Sequence, residues 1–187
     1  MKFYIVIPAH NEADFIGTTL QSLTNQTLLP TKVVVVDDHS SDETAAIVTT
    51  LSKTHPWISL VSNTSSDAHL PGGKIITAFY KGYETLDAEY DVICKFDADV
   101  IFPENYLETL TKHYHNNSRL GMVAGHCYIE KNGQWVLENL TSKAHIRGGL
   151  KAYRKVCFSD IGGLKKAMGW DTLDELLALY YGWEFKT

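Results

Sequence analysis

Residues 92–99 read VICKFDAD, an apolar run that ends in two carboxylates one residue apart. Alternate side chains of an extended backbone share a face, so Asp97 and Asp99 can approach one cation together. Mg²⁺ is usually bound by one or two carboxylates, while waters and substrate phosphate oxygens complete its coordination. The stretch indicates either a metal site at the end of a strand or a structural pair of aspartates next to a turn.

Strand and helix patterns alternate on both sides of this stretch. Runs rich in apolar residues predict strands at residues 2–8, 33–36, 57–61 and 92–96, and residues 122–129 are predicted to form a fifth strand. Apolar side chains at helical spacing predict a helix after each of the first four strands. Asn132-Gly133 predicts a hairpin turn, and Gly148-Gly149 a flexible joint. The alternation implies an α/β fold with a mainly parallel sheet and helices on both faces, in which ligands bind beyond the carboxyl ends of the strands.

Two helix boundaries carry explicit signals. Asn11 is expected to cap a helix that starts at Glu12. Thr172, with Glu175 three residues later, is expected to cap a last helix that ends at Gly182. The apolar stripe of that last helix is predicted to consist of Leu173, Leu176, Leu177, Tyr180 and Tyr181.

The composition is typical of one globular domain, with 187 residues, 44% apolar residues and a formal net charge of -5. The negative charge argues against general affinity for nucleic acid or anionic lipid. No segment reaches the ~20 apolar residues of a transmembrane helix. The three cysteines, Cys94, Cys127 and Cys157, lack paired metal-ligand spacing, so reduced thiols in a cytosolic protein are expected.

Acidic side chains follow three of the predicted strands. Glu12 lies after the first strand, Asp37 and Asp38 end the second, and Asp97 and Asp99 end the fourth. The sheet topology should bring all five to one edge, where like charges disfavour joint ionisation. A metal or a ligand rich in hydrogen-bond donors would relieve this repulsion.

Three motifs now form a recognisable series. They are IPAHNE at residues 7–12, VVDDHSSDET at residues 35–44 and FDAD at residues 96–99. In this order and at these separations they resemble the family 2 glycosyltransferases, and the resemblance runs from residue 3 to about residue 185. It implies the GT-A fold of nucleotide-diphospho-sugar transferases. It also implies transfer of a sugar, with inversion, from a nucleotide diphosphate donor to a hydroxyl acceptor.

The resemblance implies roles for the residues after the first two strands. Pro8, Ala9 and Glu12 would line the nucleotide pocket. Asp38 would accept a hydrogen bond from the nucleobase imide, and Asp37 would support it. Either aspartate could instead simply cap the following helix.

The resemblance also implies a cofactor and further substrate contacts. Asp99 would be the main protein ligand of Mg²⁺ or Mn²⁺ on the diphosphate, and Asp97 would contact sugar, ribose, the metal or a metal-bound water. Lys74 would touch the nucleotide or diphosphate, or be a solvated lysine. Arg147 or Arg154 would reach a phosphate through the planar guanidinium, or be a surface arginine.

An inverting transfer needs a carboxylate base, and residues 170–175 (WDTLDE) resemble the acidic pair that provides it in the family. By this match the base is Asp174. Leu173 stands where the family has the first acid of the pair, so Asp171 and Glu175 remain alternatives. Acidic residues in a first helical turn are also favoured by the helix dipole whatever the function.

The resemblance further implies a domain plan and a setting. Residues 1–187 would form one catalytic domain, either C-terminally truncated relative to many members or a minimal enzyme, with a nucleotide-binding half over about 1–100 and an acceptor-binding half over about 101–187. The partners would be a nucleotide-sugar donor, with a UDP-sugar favoured, and a saccharide or lipid-linked acceptor in polysaccharide or glycolipid synthesis. The setting would be the cytoplasm, including the inner face of the cell membrane as a peripheral protein.

Three other classes compete with this interpretation. A non-catalytic nucleotide-sugar binding module fits the short chain and the replacement at Leu173. A dinucleotide-binding oxidoreductase would need a Gly-x-Gly-x-x-Gly after the first strand, which is absent from the sequence. A phospho-accepting receiver domain would carry its acidic pair after the first strand.

The histidines lack the short paired intervals of a structural zinc site.

Overall fold

The structure is a computed structural model that describes residues 1–64, 73–138, 142 and 145–187. In chain order its elements are β1 (Phe3–Ala9), α1 (Ile16–Thr24), β2 (Lys32–Asp38), α2 (Thr44–Thr54), β3 (Ile58–Asn63), α3 (Gly73–Tyr83), β4 (Val92–Phe96), α4 (Tyr106–Asn116), β5 (Leu120–Val123), β6 (Tyr128–Lys131), β7 (Gln134–Leu137), β8 (Leu150–Arg154), α5 (Lys155–Asp160), α6 (Trp170–Tyr180) and β9 (Glu184–Lys186).

A seven-stranded mixed sheet forms the centre of the molecule, in the order β3-β2-β1-β4-β8-β5-β9. β1 pairs in parallel with β2 and β4, and β2 pairs in parallel with β3. β8 runs antiparallel between β4 and β5. Helices pack along this sheet, and the predicted α/β class with a mainly parallel sheet is confirmed.

The central strands β1, β2 and β4 are buried along almost their whole length, as their unbroken apolar runs predict. The predicted bounds of β4 match the structure at both ends. In the described parts of the chain, no helix is long and apolar enough to span a bilayer. All three cysteines are free thiols, with Cys94 and Cys157 buried.

The region after α4 corrects two expectations. The predicted strand at 122–129 is wrong, because β5 ends at Val123 and the next strand, β6, belongs to a separate two-stranded sheet with β7. The hairpin turn at Asn132-Gly133 is confirmed, with φ angles of 53° and 75°. The flexible joint at Gly148-Gly149 instead leads directly into β8, a strand that sequence patterns miss because Lys151 interrupts its apolar run.

Helix α6 buries a different face from the one that its leucines predict. Its buried residues are Trp170, Asp174, Glu175 and Ala178. Most of the predicted stripe is exposed, including Leu176 at 58% and Tyr180 at 82%. The helix begins after Gly169, which has a φ of 71°, so Thr172 is not its cap. Gly182, with a φ of 81°, follows its end as predicted.

Candidate functional site

A cleft of about 390 Å³ lies at the carboxyl ends of β1, β2 and β4. This is where ligands bind in open sheets of this kind. Its lining residues are Pro8, Ala9, His10, Glu12, Asp38, Lys74, Ile75, Ala78, Asp97, Ala98 and Asp99. The structure therefore brings together most of the substrate- and metal-binding candidates from three separate motifs.

The loop after β1 is bonded to the loop after β2, which fixes one wall of the cleft. The backbone N–H of Asn11 donates to Ser40 Oγ (2.9 Å), and the Asn11 side-chain oxygen accepts from the Ser41 N–H (2.8 Å). Asn11 has a φ of 54° and lies five residues before α1, so the expected cap at Asn11 is wrong. The backbone N–H of Glu12 donates to Thr44 Oγ1 (2.8 Å).

The two aspartates at the end of β2 lie in different surroundings, because only one of them lines the cleft. Asp38 lines the cleft, and its Oδ1 accepts from Asn63 Nδ2 (2.8 Å). Asp37 is 8% exposed, does not line the cleft, and accepts a long hydrogen bond from the Ser40 N–H (3.4 Å). His10 lies in the cleft wall with Nδ1 at 2.7 Å from the Asp38 carbonyl oxygen, a contact that the sequence did not predict.

Asp97 and Asp99, at the end of β4, both line the cleft but differ in their partners. Asp97 forms an ion pair with Lys95, whose side chain is 1% exposed. The Asp97 N–H donates to the Gly149 carbonyl (3.0 Å), and a Cβ on Gly149 would lie 2.5 Å from Asp97 Oδ2. Asp99 is exposed in the cleft. Asp97 is thus held by an ion pair with Lys95, whereas Asp99 presents its carboxylate to the cleft.

The electrostatics of the cleft suit a cationic or donor-rich ligand. Burial, and then the negative charges of Asp99 and Asp97, raise the pKa of Glu12. Among the described residues, no cluster of three or more His, Cys, Asp or Glu could hold a metal with protein ligands alone. The carboxylates of Asp97 and Asp99 are of the kind that binds Mg²⁺ or Mn²⁺ when phosphate oxygens and waters complete the coordination.

Asp174 lies in a buried network outside the residues that line the cleft. Its side chain is 2% exposed, with Oδ1 at 2.9 Å from Lys151 Nζ and Oδ2 accepting from the Tyr153 hydroxyl. Burial raises the pKa of Asp174, and the Lys151 ammonium opposes this shift. Both carboxylate oxygens are occupied, so the structure does not bring the sequence-predicted base to the cleft.

Asp171, one turn earlier on α6, packs beside Gly148. Its side chain is 35% exposed. A Cβ on Gly148 would lie 3.5 Å from Asp171 Cβ, and the adjacent Gly149 is packed against Asp97. Two consecutive glycines thus hold the start of α6 close to the Asp-x-Asp motif.

A profile of glycosyl transferase family 2 matches residues 4–163 of the chain. The chain belongs to this family. It is 31% identical over 126 residues to the probable glycosyltransferase YdaM of Bacillus subtilis, covering 66% of this chain and 29% of that protein. It is 24% identical over 184 residues to the O-antigen chain rhamnosyltransferase RfbN of Salmonella typhimurium, covering 87% of this chain and 55% of RfbN. The chain thus spans about half or less of the length of these curated relatives.

Solved structures show that this family 2 chain has the GT-A fold. TarS of Staphylococcus aureus in complex with UDP gives a TM-score of 0.73 at 18% identity, covering 96% of this chain and 55% of that one. The mannosyltransferase PcManGT of Pyrobaculum calidifontis, in complex with GDP-Man and Mn²⁺, gives a TM-score of 0.75 at 20% identity, covering 100% of this chain and 54% of that one.

The two arginine candidates of this family 2 chain do not line the main cleft. Arg147 Nη2 lies 3.0 Å from Glu138 Oε2, in a second, smaller cleft beside His145. Arg154 donates to three backbone carbonyls, those of Leu120 (2.8 Å), Tyr114 (2.9 Å) and Asn117 (3.2 Å). The Arg154 guanidinium thus connects α4 and β5 to β8.

Proposed function

We propose that this family 2 chain transfers a sugar from a nucleotide diphosphate donor to a hydroxyl acceptor, with inversion at the anomeric carbon. The observation that carries the proposal is the cleft that joins Asp38 to the pair Asp97 and Asp99, with Asp171 close by across Gly148-Gly149. The cleft residues all lie within the first 100 positions, which supports a nucleotide-binding half followed by an acceptor-binding half in one catalytic domain.

The donor would occupy the cleft between the loops after β1 and β2. Asp38 offers a carboxylate acceptor for a nucleobase imide, with Pro8, Ala9 and Glu12 around the nucleoside and the buried Asp37 behind. Lys74 at the start of α3 would face the diphosphate. A UDP-sugar is the favoured donor, and the UDP in the TarS complex supports it.

Asp99 would hold Mg²⁺ or Mn²⁺, which neutralises charge on the departing diphosphate when bound. Asp97 would contact the sugar, the ribose or a metal-bound water, because Lys95 already balances its charge. The Mn²⁺ in the PcManGT complex supports this assignment.

The base in this proposal is Asp171, in place of the Asp174 that the sequence favours. A base needs a carboxylate oxygen within reach of the acceptor hydroxyl, and both Asp174 oxygens are engaged by Lys151 and Tyr153. Asp171 takes the hydroxyl proton as the acceptor oxygen bonds to the anomeric carbon. The bond from that carbon to the diphosphate oxygen breaks, and its electron pair leaves with the nucleoside diphosphate.

The acceptor would be a saccharide or a lipid-linked saccharide in polysaccharide or glycolipid synthesis, at the cytoplasmic side of the membrane. The O-antigen rhamnosyltransferase among the curated relatives supports this class. Arg147, beside the second cleft, would face this acceptor side.

Nucleotide sugars with and without Mn²⁺ test the proposal. A matching donor should raise the melting temperature only with metal and should be consumed when saccharide acceptors are added. Asp99→Asn should lose the metal-dependent rise, whereas Glu84→Gln, at an exposed position outside the cleft, should keep it. A metal-dependent rise without turnover of any donor would instead support a non-catalytic binding module. If no donor raises the melting temperature and no donor is turned over, the proposal is overturned.

A further inference from the structure

His145 lies between two carboxylates of α6. Its Nδ1 is 3.1 Å from Glu175 Oε1 and 3.2 Å from Oε2, and its Nε2 is 3.6 Å from Asp171 Oδ2. The His145 side chain is only 16% exposed. The three side chains form a chain of contacts, Glu175 to His145 to Asp171, that ends at the proposed base.

Glu175 is held as an acceptor on its side of this chain. It is 7% exposed, and its Oε1 accepts from the Ile146 N–H (2.8 Å) and from Lys151 Nζ (3.1 Å). An ionised carboxylate has no proton to give, so the bond to His145 requires a proton on Nδ1 of the ring. In a neutral imidazole this leaves the Nε2 lone pair directed at Asp171.

We propose that His145 acts through Asp171, as the residue that receives its proton after transfer. This rests on the proposed function, in which Asp171 is the base. Asp171 takes the proton from the acceptor hydroxyl and gives it to Nε2 of His145, and Asp171 becomes an anion again. The imidazolium lies between the carboxylates of Asp171 and Glu175, which stabilise its charge.

The imidazolium of His145 can release its proton to water in a second cleft. His145 lines the second, smaller cleft, whose other lining residues are Gly125, His126, Cys127, Leu137, Glu138, Ser142 and Arg147. The cleft is distinct in its lining from the donor cleft, so water there can take the proton from the ring without crossing the nucleotide site. Once Asp171 holds the proton of the acceptor hydroxyl, its O–H can donate to the Nε2 lone pair, and the 3.6 Å separation needs only a small tightening for that hydrogen bond, as is common between apo and substrate-bound sites.

His145→Gln is the decisive variant, because the amide can still bond to Glu175 but does not accept and release a proton. The value of kcat for transfer should fall about 100-fold, the range of one general acid–base group. The donor KM and the donor-induced rise in melting temperature should stay at wild-type values. His126→Gln is the matched control, since His126 lines the same cleft but forms no ion pair with α6 among the described residues.

Rescue separates a proton role from a purely structural one. Imidazole added to His145→Ala should restore transfer in a saturable manner, because the removed ring leaves its own volume open to the second cleft. Wild-type kcat in His145→Gln, or a His145→Ala enzyme that imidazole does not rescue, would overturn the role of His145. Asp171→Asn, assayed in parallel, separates a failure of the His145 role from a failure of the proposed function. If this variant transfers sugar at the wild-type rate, Asp171 is not the base, and the proposed function is wrong on that point.

Discussion

Lys95 on β4 and Lys151 on β8 are directly opposite each other in an antiparallel pair, and both side chains are buried. Lys95 holds Asp97 of the donor cleft, and Lys151 holds Asp174 and Glu175 of α6. Lys95 Nζ also lies 5.4 Å from the centre of the Trp170 ring. One pair of facing residues in the sheet therefore stabilises both the cleft residue Asp97 and the helix α6, which carries the proposed base.

Lys151→Met should strongly destabilise the fold. It leaves the buried carboxylates of Asp174 and Glu175 without their cation, and breaking a buried ion pair in this way costs about 3–5 kcal/mol. Urea unfolding followed by circular dichroism measures the loss. Lys112→Met is the control, because its pair with Glu108 on α4 is exposed and should contribute little. Equal midpoints for the two variants would contradict a structural role for Lys151.

Asp171→Asn and Asp174→Asn should separate catalysis from packing. Asp171→Asn removes a partly exposed carboxylate, so transfer should fall at least about 100-fold while donor binding and melting temperature hold. Asp174→Asn changes a buried group that does not line the cleft, so transfer should continue wherever the variant is folded. Initial rates and donor-induced melting shifts check both. The opposite result, with Asp174→Asn folded but inactive, would restore Asp174 as the base.

The sequence predicts the N-terminal half of the molecule well for a physical reason. Strands buried on both faces have unbroken apolar runs, and their carboxyl ends converge by topology alone. Residues as distant in the chain as Pro8, Asp38 and Asp99 therefore meet in one cleft as expected. Asp37 and Asp38 are adjacent in sequence, and their different surroundings depend on side-chain packing that no pattern contains.

The C-terminal half of the chain resists the same reasoning because its core is partly ionic. β8 and α6 bury Lys151, Asp174 and Glu175 against each other, and periodicity rules assign such residues to the surface. The periodicity rules therefore miss β8. They also predict the wrong buried face for α6, because they select Leu176 and Tyr180, which are exposed. Only the pairing of the charges across the two elements indicates the true face, and one sequence does not reveal that pairing.

Leu176→Glu and Ala178→Glu test which face of α6 is buried. Leu176 is 58% exposed, so the free energy of unfolding should change by no more than about 0.5 kcal/mol. Ala178 is 0% exposed, so its variant should unfold at much lower denaturant, because a charge would be buried without a partner. Urea midpoints of the two variants give the comparison. A larger loss in Leu176→Glu would support the stripe predicted from the sequence.

Asp174 should also give the stability a defined pH dependence. Burial raises its pKa in the folded protein above the value of about 3.9 in the unfolded chain. The folded protein then keeps this proton to higher pH, so the contribution to stability falls as pH rises from about 4 through the folded-state pKa. Relative to Asp174→Asn, the wild type should lose free energy of unfolding over this window. A difference that stays constant, or grows in favour of the wild type, would contradict the raised pKa.

Gly149→Ala should disturb the proposed donor site by displacing the Asp97 carboxylate, which is placed to contact the sugar, the ribose or a metal-bound water. A Cβ at this position would lie 2.5 Å from Asp97 Oδ2, so the carboxylate must move away from its present position beside Lys95. Donor binding that depends on Mn²⁺ should weaken, as measured by calorimetry or by the donor-induced rise in melting temperature. Gly17→Ala on α1 is the matched control, because its new Cβ would meet Ile47 at an ordinary 3.5 Å. If both variants bind donor and Mn²⁺ as the wild type does, the position of Asp97 is not what prepares this site.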